Sequence, residues 1–490
     1  MKKFFSVLLA LAGPVWAAAA SSLEDVKQRG VLRWGADAEG GAPYVFHDPA
    51  APDRLLGFEV ELAEELARRL AVRPQLVQEN WDMLVPALKQ GAFDVILNGL
   101  ERTPENHQKL ELSRPYFVYH QQIITRADTT QIKSLDDLKG RTVAALSGSV
   151  SFRILAARPE INMKIYSGNA QSFQDLKIGR LDAVIVDSPV ASHFARNDPE
   201  LRFGGPPFAP GYYAIGLPLG DAELLGALDK AIGALLANGT LERIYRKYDL
   251  WGPEQAGLAQ VRLVDAPREG PSSTLAHWQR YLPLLLRASL TTIWLTVAGM
   301  GLAMALGLAI ALSRLYGPRT LRWIATAYTE VMRGTPLLIQ LYFIYYGLAQ
   351  QLGLRMGEYA AAVLALGLNY AANEAENYRA GINAVARGQW EAATALGMSR
   401  WLTLRRIILP QAFRLVVPPV SNDFIAMFKD SSIVSVIAIV ELTKEYQIRA
   451  TDTGDYLGLG VMTAALYFGM SYAASLLMQR FEHRLQHDHR

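Results

Sequence analysis

The sequence predicts an α/β domain followed by an all-α membrane domain with five transmembrane helices. Three observations carry this prediction. Short apolar strands alternate with amphipathic helices from Ser22 to about Trp251, and long apolar runs such as Ile293 to Leu312 recur from about residue 281 onward. Between them lies a stretch with Gly, Pro and Ser and no sustained period. At 490 residues the chain is too long for one ordinary core. Its 49 Lys and Arg nearly balance 46 Asp and Glu, so nothing in the charge suggests nucleic acid as a partner. Without cysteine there is no disulfide, thiolate metal site or cysteine nucleophile, and the eight histidines show no ligand spacing. No catalytic residue, metal or cofactor is expected in this chain.

Residues 1–20 carry Lys2 and Lys3, then the apolar run FFSVLLALAGPVWA, then small residues, which is the layout of a secretory signal. Such a segment sends the following domain, residues 22–252, across the membrane. In open α/β sheets ligands sit beyond the carboxyl ends of strands. The residues after VILNG, AALSG and VIVD should therefore face a cleft, and the candidates there are Asn98, Gly99, Glu101, Arg102, Ser147, Ser149, Ser151 and Asp187. A carboxylate ending a buried strand at Asp187 needs a partner, either a ligand ammonium or the backbone of the helix that follows. Exposed N–H groups at 147–151 suit an anion, although a plain N-cap serine accounts for the same letters.

Residues 253–280 read as a linker, which would raise the local concentration of the first domain at the membrane domain, residues 281–490. Five spans fit, at about 284–312, 335–353, 359–380, 414–440 and 459–479. Arginines at 314, 319, 322 and 333, from 387 to 406, and at 480 and 484 fall on one side, which places the C-terminus in the cytoplasm of an inner-membrane protein and the first domain outside. The third span is polar in its second half, where Asn369, Asn373 and Asn377 share one face with Glu374 and Glu376 nearby. This face either lines a translocation path or supplies hydrogen bonds between helices. Glu376 and Arg379, three apart, can neutralise each other, which leaves Glu374 as the stronger functional candidate.

Between the last two breaks in hydropathy lies EAATALGMSRWLTLRRIILP, residues 391–410. A small-residue helix opens at Glu391, Gly397 permits a turn, and Pro410 is expected to end a basic second helix. Such a polar loop cannot stay in lipid. An amphipathic helix on the membrane surface is the alternative reading.

Glu391, Ala392, Ala393, Gly397, Ile407, Leu409 and Pro410 together resemble the loop by which membrane subunits of ABC importers dock their ATPase. RGTPLLIQLYFIYYG (333–347) and NDFIAMFKDSSIVSVIAIVELT (422–443) extend the resemblance to the amino-acid importer permeases. The first domain is similar to the periplasmic polar amino-acid binding proteins through GFEVELAEELARRL (57–70), LVPALKQGAFDVIL (84–97), SLDDLKGRTVAALSGS (134–149) and GRLDAVIVD (179–187). The resemblance implies a two-lobed periplasmic binding protein fold, with the second lobe at about 116–205, and Asp187 holding a ligand amino group. It implies a small polar solute as ligand, an amino acid or a compound like one. It also implies an ABC ATPase dimer docked in the cytoplasm, and a permease homodimer or a heterodimer with a related permease. The chain has no GxxxxGK[ST] phosphate loop, so the ATPase is expected to be another chain.

The chain departs from the family at the ligand. Where the binding proteins carry an arginine that clamps the ligand carboxylate, this sequence has Asn106; Gly41 stands where an aromatic usually covers the ligand, and Val150 replaces a usual hydroxyl. Arg102 is the nearest substitute cation, with Arg153 a second, whereas Glu101 would favour a cationic ligand. A ligand-gated channel with a binding ectodomain and a periplasmic lyase are the rival classes. The spans all follow the binding fold and no second catalytic domain is visible, which argues against both.

Overall fold

The computed structural model describes residues 23–39, 41–261, 274–354 and 356–487. Residues 1–20 and the middle of the expected linker, 262–273, lie outside these. The chain divides into two compact units, one built from the α/β half and one from the helical half.

The α/β unit contains two sheets. In the first, strands run in the order 73–78, 31–36, 95–96, 216–217 and 111–112. Its first three strands are parallel, as strand–helix–strand alternation requires. The helix Phe58–Arg69 buries Phe58, Leu62 and Leu66, a 3.6-residue stripe. In the second sheet the order is 201–203, 117–126, 183–187, 142–146 and 162–166, and strand Phe208–Tyr213 pairs with 117–126 as well. The second sheet thus reaches residue 213, past the expected boundary near 205, because a ten-residue strand at 117–126 has room for two antiparallel neighbours. The chain crosses between sheets at 113–116 and again at 213–216.

The expected linker begins later than the composition suggested. Pro253–Ala256 is helical and buries Gln255, whose side-chain amide accepts from the Val118 N–H at 2.9 Å and donates to its carbonyl at 2.6 Å. Leu258 is buried too. At the other end the helix Thr274–Tyr316 starts before residue 280.

In the helical unit, Trp278–Tyr316 and Tyr456–Arg484 are each long and apolar enough to cross a membrane. The other three expected spans depart from single apolar helices. The second is divided by a π turn at Phe343–Gly347, the third, Glu358–Ala384, carries the polar half seen in the sequence, and the fourth ends at Asp430 in the 3₁₀ turn Ser431–Ile437. A further helix, Arg319–Gly334, lies between the first two expected spans. The helices 274–316 and 358–384 approach so closely that a Cβ added at Gly307 would lie 2.6 Å from that of Glu374. The apolar core here gathers Leu295, Met300, Leu341, Tyr345, Leu366 and Met427.

Candidate functional site

Between the two sheets of the α/β unit lies a narrow cleft of about 40 Å³, partly open to solvent. One side brings Asp37, Tyr44, Trp81, Asn98, Gly99 and Glu101; the other brings Ser149, Ser151, Gly168, Asn169 and Asp187. Apart from Tyr44 and Trp81, these positions stand at or follow strand ends at 36, 96, 146, 166 and 187, as the topology demands. The lobes are closed on each other. Trp81 donates its indole N–H to the Ser147 carbonyl at 3.1 Å, and both Glu101 carboxylate oxygens accept the Val150 N–H at 2.9 Å.

Of the residues expected at the cleft, Asn98, Gly99, Glu101, Ser149, Ser151 and Asp187 line it. Ser147 contributes only its carbonyl, to Trp81. Arg102 does not reach the cleft: its guanidinium donates to the carbonyls of Leu112 and Ser113 at 3.0 and 2.9 Å, so it does not replace the missing clamp. Arg153 lies 3.6 Å from Glu105 and is not part of the lining either. Ser149 caps its helix by accepting the Phe152 N–H, and the bland explanation of that serine holds. Asp187 behaves otherwise. It occupies the N-cap position of Ser188–Ala195 without a capping bond from its side chain. Its carboxylate instead accepts from Gln121 Nε2 at 2.6 Å and from the Tyr213 hydroxyl, which is 2.8 Å from that of Tyr44.

Burial pushes the Glu101 carboxyl well above its usual range, and the nearby Asp187 charge adds to the rise. Asp187 is raised as well, by burial, against the lowering effect of its Tyr213 and Gln121 hydrogen bonds.

Gly99 has φ of +62°, and a side chain there would lie 2.7 Å from the Tyr44 ring. Its N–H donates at 2.8 Å to Glu59, which also accepts from the Tyr116 hydroxyl. Glu59 is fully buried, and that burial raises its carboxyl to about 8. The folded state therefore holds a proton that the unfolded chain releases above about 4.5, so this contribution to stability is complete at low pH and is lost as pH rises through about 8. Between those values the slope approaches about 1.4 kcal/mol per pH unit. Glu59→Gln should flatten the fall in unfolding temperature of the α/β unit between pH 5.5 and 8.5, followed by calorimetry; an unaltered slope would refute the assignment.

Trp81, Tyr44, Tyr213, Gln121, Asp37 and Asn169 were not singled out from sequence. Trp81 alone left a local signal, an aromatic residue within the polar stretch EN-W-D ahead of a helix.

In the helical unit, Arg387–Ala395 carries Glu391, Ala392 and Ala393, and Gly397 follows with φ of +76°. Ala393 is buried, while Leu396 and Trp401 are 79% and 68% exposed. Ile408, Leu404 and Ala412 pack with Ile382 and Val385, with Ile407 and Leu409 at the edge of the cluster. Pro410 does not end the second helix. It stands in the first turn of Leu409–Asp430, directly after a π turn at Leu404–Ile408. The wider turn leaves room for a ring that an α turn would press against the preceding carbonyl.

On the helix 358–384, Asn369 donates to the Gln340 side chain at 3.1 Å and to the Met332 carbonyl at 3.3 Å, and Asn377 donates to Asp423 at 2.9 Å. Both serve as interhelical hydrogen bonds. Asn373 is half-buried and Glu374 fully buried. Glu376 pairs with Arg314 and with Arg379. Among the described residues no group of His, Cys, Asp and Glu could hold a metal ion.

Comparison with known proteins places both units. Residues 32–250 match the bacterial extracellular solute-binding proteins, family 3, and residues 299–487 match the binding-protein-dependent transport system inner membrane component. The chain is 39% identical over 208 residues to the L-cystine transport system permease protein TcyB of Bacillus subtilis (strain 168), covering 42% of this chain and 88% of TcyB. It is 34% identical over 206 residues to the glutamine transport system permease protein GlnP of Escherichia coli (strain K12), covering 42% and 94%. Among solved structures it is similar to holo ArgBP from T. maritima, at 30% identity and a TM-score of 0.42, covering 45% of this chain and 99% of that one.

Proposed function

The chain belongs to the amino-acid ABC transporters, with a solute-binding domain and an inner-membrane permease domain fused in one polypeptide, and on that premise we propose how it imports its solute. Residues 22–252 capture a small polar solute, an amino acid or a close derivative, in the cleft between the two lobes. Residues 281–490 form half of a translocation pathway with five spans, completed by a second copy of the chain or a related permease. A separate ATPase dimer docks in the cytoplasm on Glu391, Ala392, Ala393, Gly397, Ile407, Leu409 and Pro410. ATP binding there drives the passage between outward and inward access. The observation that carries this reading is the coexistence, in one chain, of a closed two-lobed cleft and a helix–glycine–helix turn that exposes Leu396 and Trp401. Apolar side chains of that size left exposed around a turn suit a protein partner.

The arginine distribution supports a cytoplasmic turn and an extracytoplasmic cleft. With no native cysteine to confuse the readout, a cysteine at Asp53 should react with an impermeant maleimide in spheroplasts. One at Leu396 should react only after lysis. Labelling at position 396 alone would invert the topology. Transport itself is tested by ATP-dependent uptake in vesicles that contain the chain and its ATPase; uptake that continues without the ATPase would exclude an ABC importer.

A further inference from the structure

The side chains around the cleft have a lopsided charge. Three carboxylates, Asp37, Glu101 and Asp187, line it, and no lysine, arginine or histidine does. Arg102 is engaged on the carbonyls of Leu112 and Ser113, and Arg153 stands outside the lining, 3.6 Å from Glu105, with its charge acting on Glu101 as well. Glu101 is 2% exposed and spans the cleft to the Val150 N–H, so the backbone donor that could receive a ligand carboxylate already holds one from the chain itself. Asn106 fixes this arrangement by donating at 2.8 Å to the Glu101 carbonyl. An α-amino acid would bring a further negative charge into this cleft without meeting a cation in its lining, and the nearby Arg153 already faces two carboxylates of the chain, Glu101 and Glu105.

The helical unit offers an independent observation of the same sign. Glu374 is fully buried, with Tyr378 and Asn377 as its neighbouring polar groups and, among the described residues, no cation beside it. Asp423, held by Asn377, faces the same helix. Among the described residues neither carboxylate forms a salt bridge, whereas Arg314 and Arg379 both pair with Glu376. Buried carboxylates persist where a partner compensates them, and in a transport path a passing cation is such a partner.

We propose that the solute is an organic cation carrying two amino or guanidino groups and no free carboxylate, the class formed by decarboxylating a basic amino acid, with one cationic end on Asp187 and the other on Glu101. The inference rests on the import reading above and specifies its substrate. Glu101 supplies from the protein the carboxylate that an amino acid would bring with it. The Asp187 charge that raises Glu101 is offset when a cation enters between them.

The test compares matched pairs that differ only in the carboxylate: agmatine against L-arginine and cadaverine against L-lysine, titrated calorimetrically into the full-length chain in lipid nanodiscs. In each pair with measurable binding the amine should bind at least tenfold more tightly. Glu101→Gln, nearly isosteric, should cost the amine at least tenfold and narrow the gap to the amino acid, with the unfolding temperature recorded to exclude loss of fold. An amino acid that binds as tightly as its amine would overturn the proposal, as would failure of both amines to bind. If ATP-dependent uptake of an amino acid accompanies either result, the import reading stands and only the charge class falls. If the amines bind but the ATPase-containing vesicles take up no solute, the reverse holds.

Discussion

Vesicles carrying Gly397→Val should take up no solute above background, while the same protein binds its ligand with unaltered affinity. The helix Arg387–Ala395 ends in paired hydrogen bonds, Met398 N–H to the Ala393 carbonyl at 3.0 Å and Gly397 N–H to the Thr394 carbonyl at 3.0 Å. This closure requires a left-handed residue at position 397, where φ is +76°. A Cβ there would meet no atom within 4 Å, so the penalty comes from the backbone and not from a clash. A β-branched residue in that region is a genuine outlier, at a cost of about 1–2 kcal/mol or more. The turn would relax, and with it the angle between Glu391 to Ala393 and the exposed Trp401. Gly397→Ala should give a milder version of the same defect. Recovery of the ATPase by pull-down and the uptake rate are the two readouts. Normal values of both in Gly397→Val would remove the docking assignment.

Replacing Asp187 by Asn should weaken ligand binding by about 30-fold to several thousand-fold, the equivalent of about 2–5 kcal/mol for breaking a buried charged pair. The side chain is held by donors on both oxygens, Gln121 and Tyr213. An amide at this position presents an N–H to one of those donors, so the substitution removes the charge and also disturbs the Tyr213–Tyr44 hydroxyl chain. The wild type should show a matching pH dependence. Burial raises Asp187 to about 6, and the ionised form is the one an ammonium needs. The Asp187 contribution to affinity should therefore fall as pH drops through that value. Calorimetry between pH 5 and 8 checks the sign. An Asp187→Asn variant with wild-type affinity would move the amine elsewhere in the cleft.

Period and punctuation made much of this molecule readable from sequence alone. Alternating strands and helices with apolar stripes placed the cleft at strand ends, and six of the eight residues named there line it. Gly397 was legible because a left-handed turn leaves few choices of residue. Three things were not legible. The orientation of Arg102 depends on carbonyls ten and eleven residues away, which no local pattern encodes. Tyr44 and Tyr213 meet across 169 positions. The span count is blurred in hydropathy because polar side chains, a π turn and internal prolines interrupt the central helices. The proline at 410 misled for a related reason: the turn type that precedes it decides whether a helix stops or merely widens.

The amide of Gln255 imitates a neighbouring β-strand for a single residue, pairing with both the N–H and the carbonyl of Val118. Val118 stands at the beginning of the strand on which the second lobe is built, just past a crossing between lobes. The chain leaving the solute-binding unit is thus pinned beside one of the two crossings between the lobes. A rotation of the lobes about that crossing would therefore sweep the far rim of the second lobe through a long arc and displace the root of the tether little.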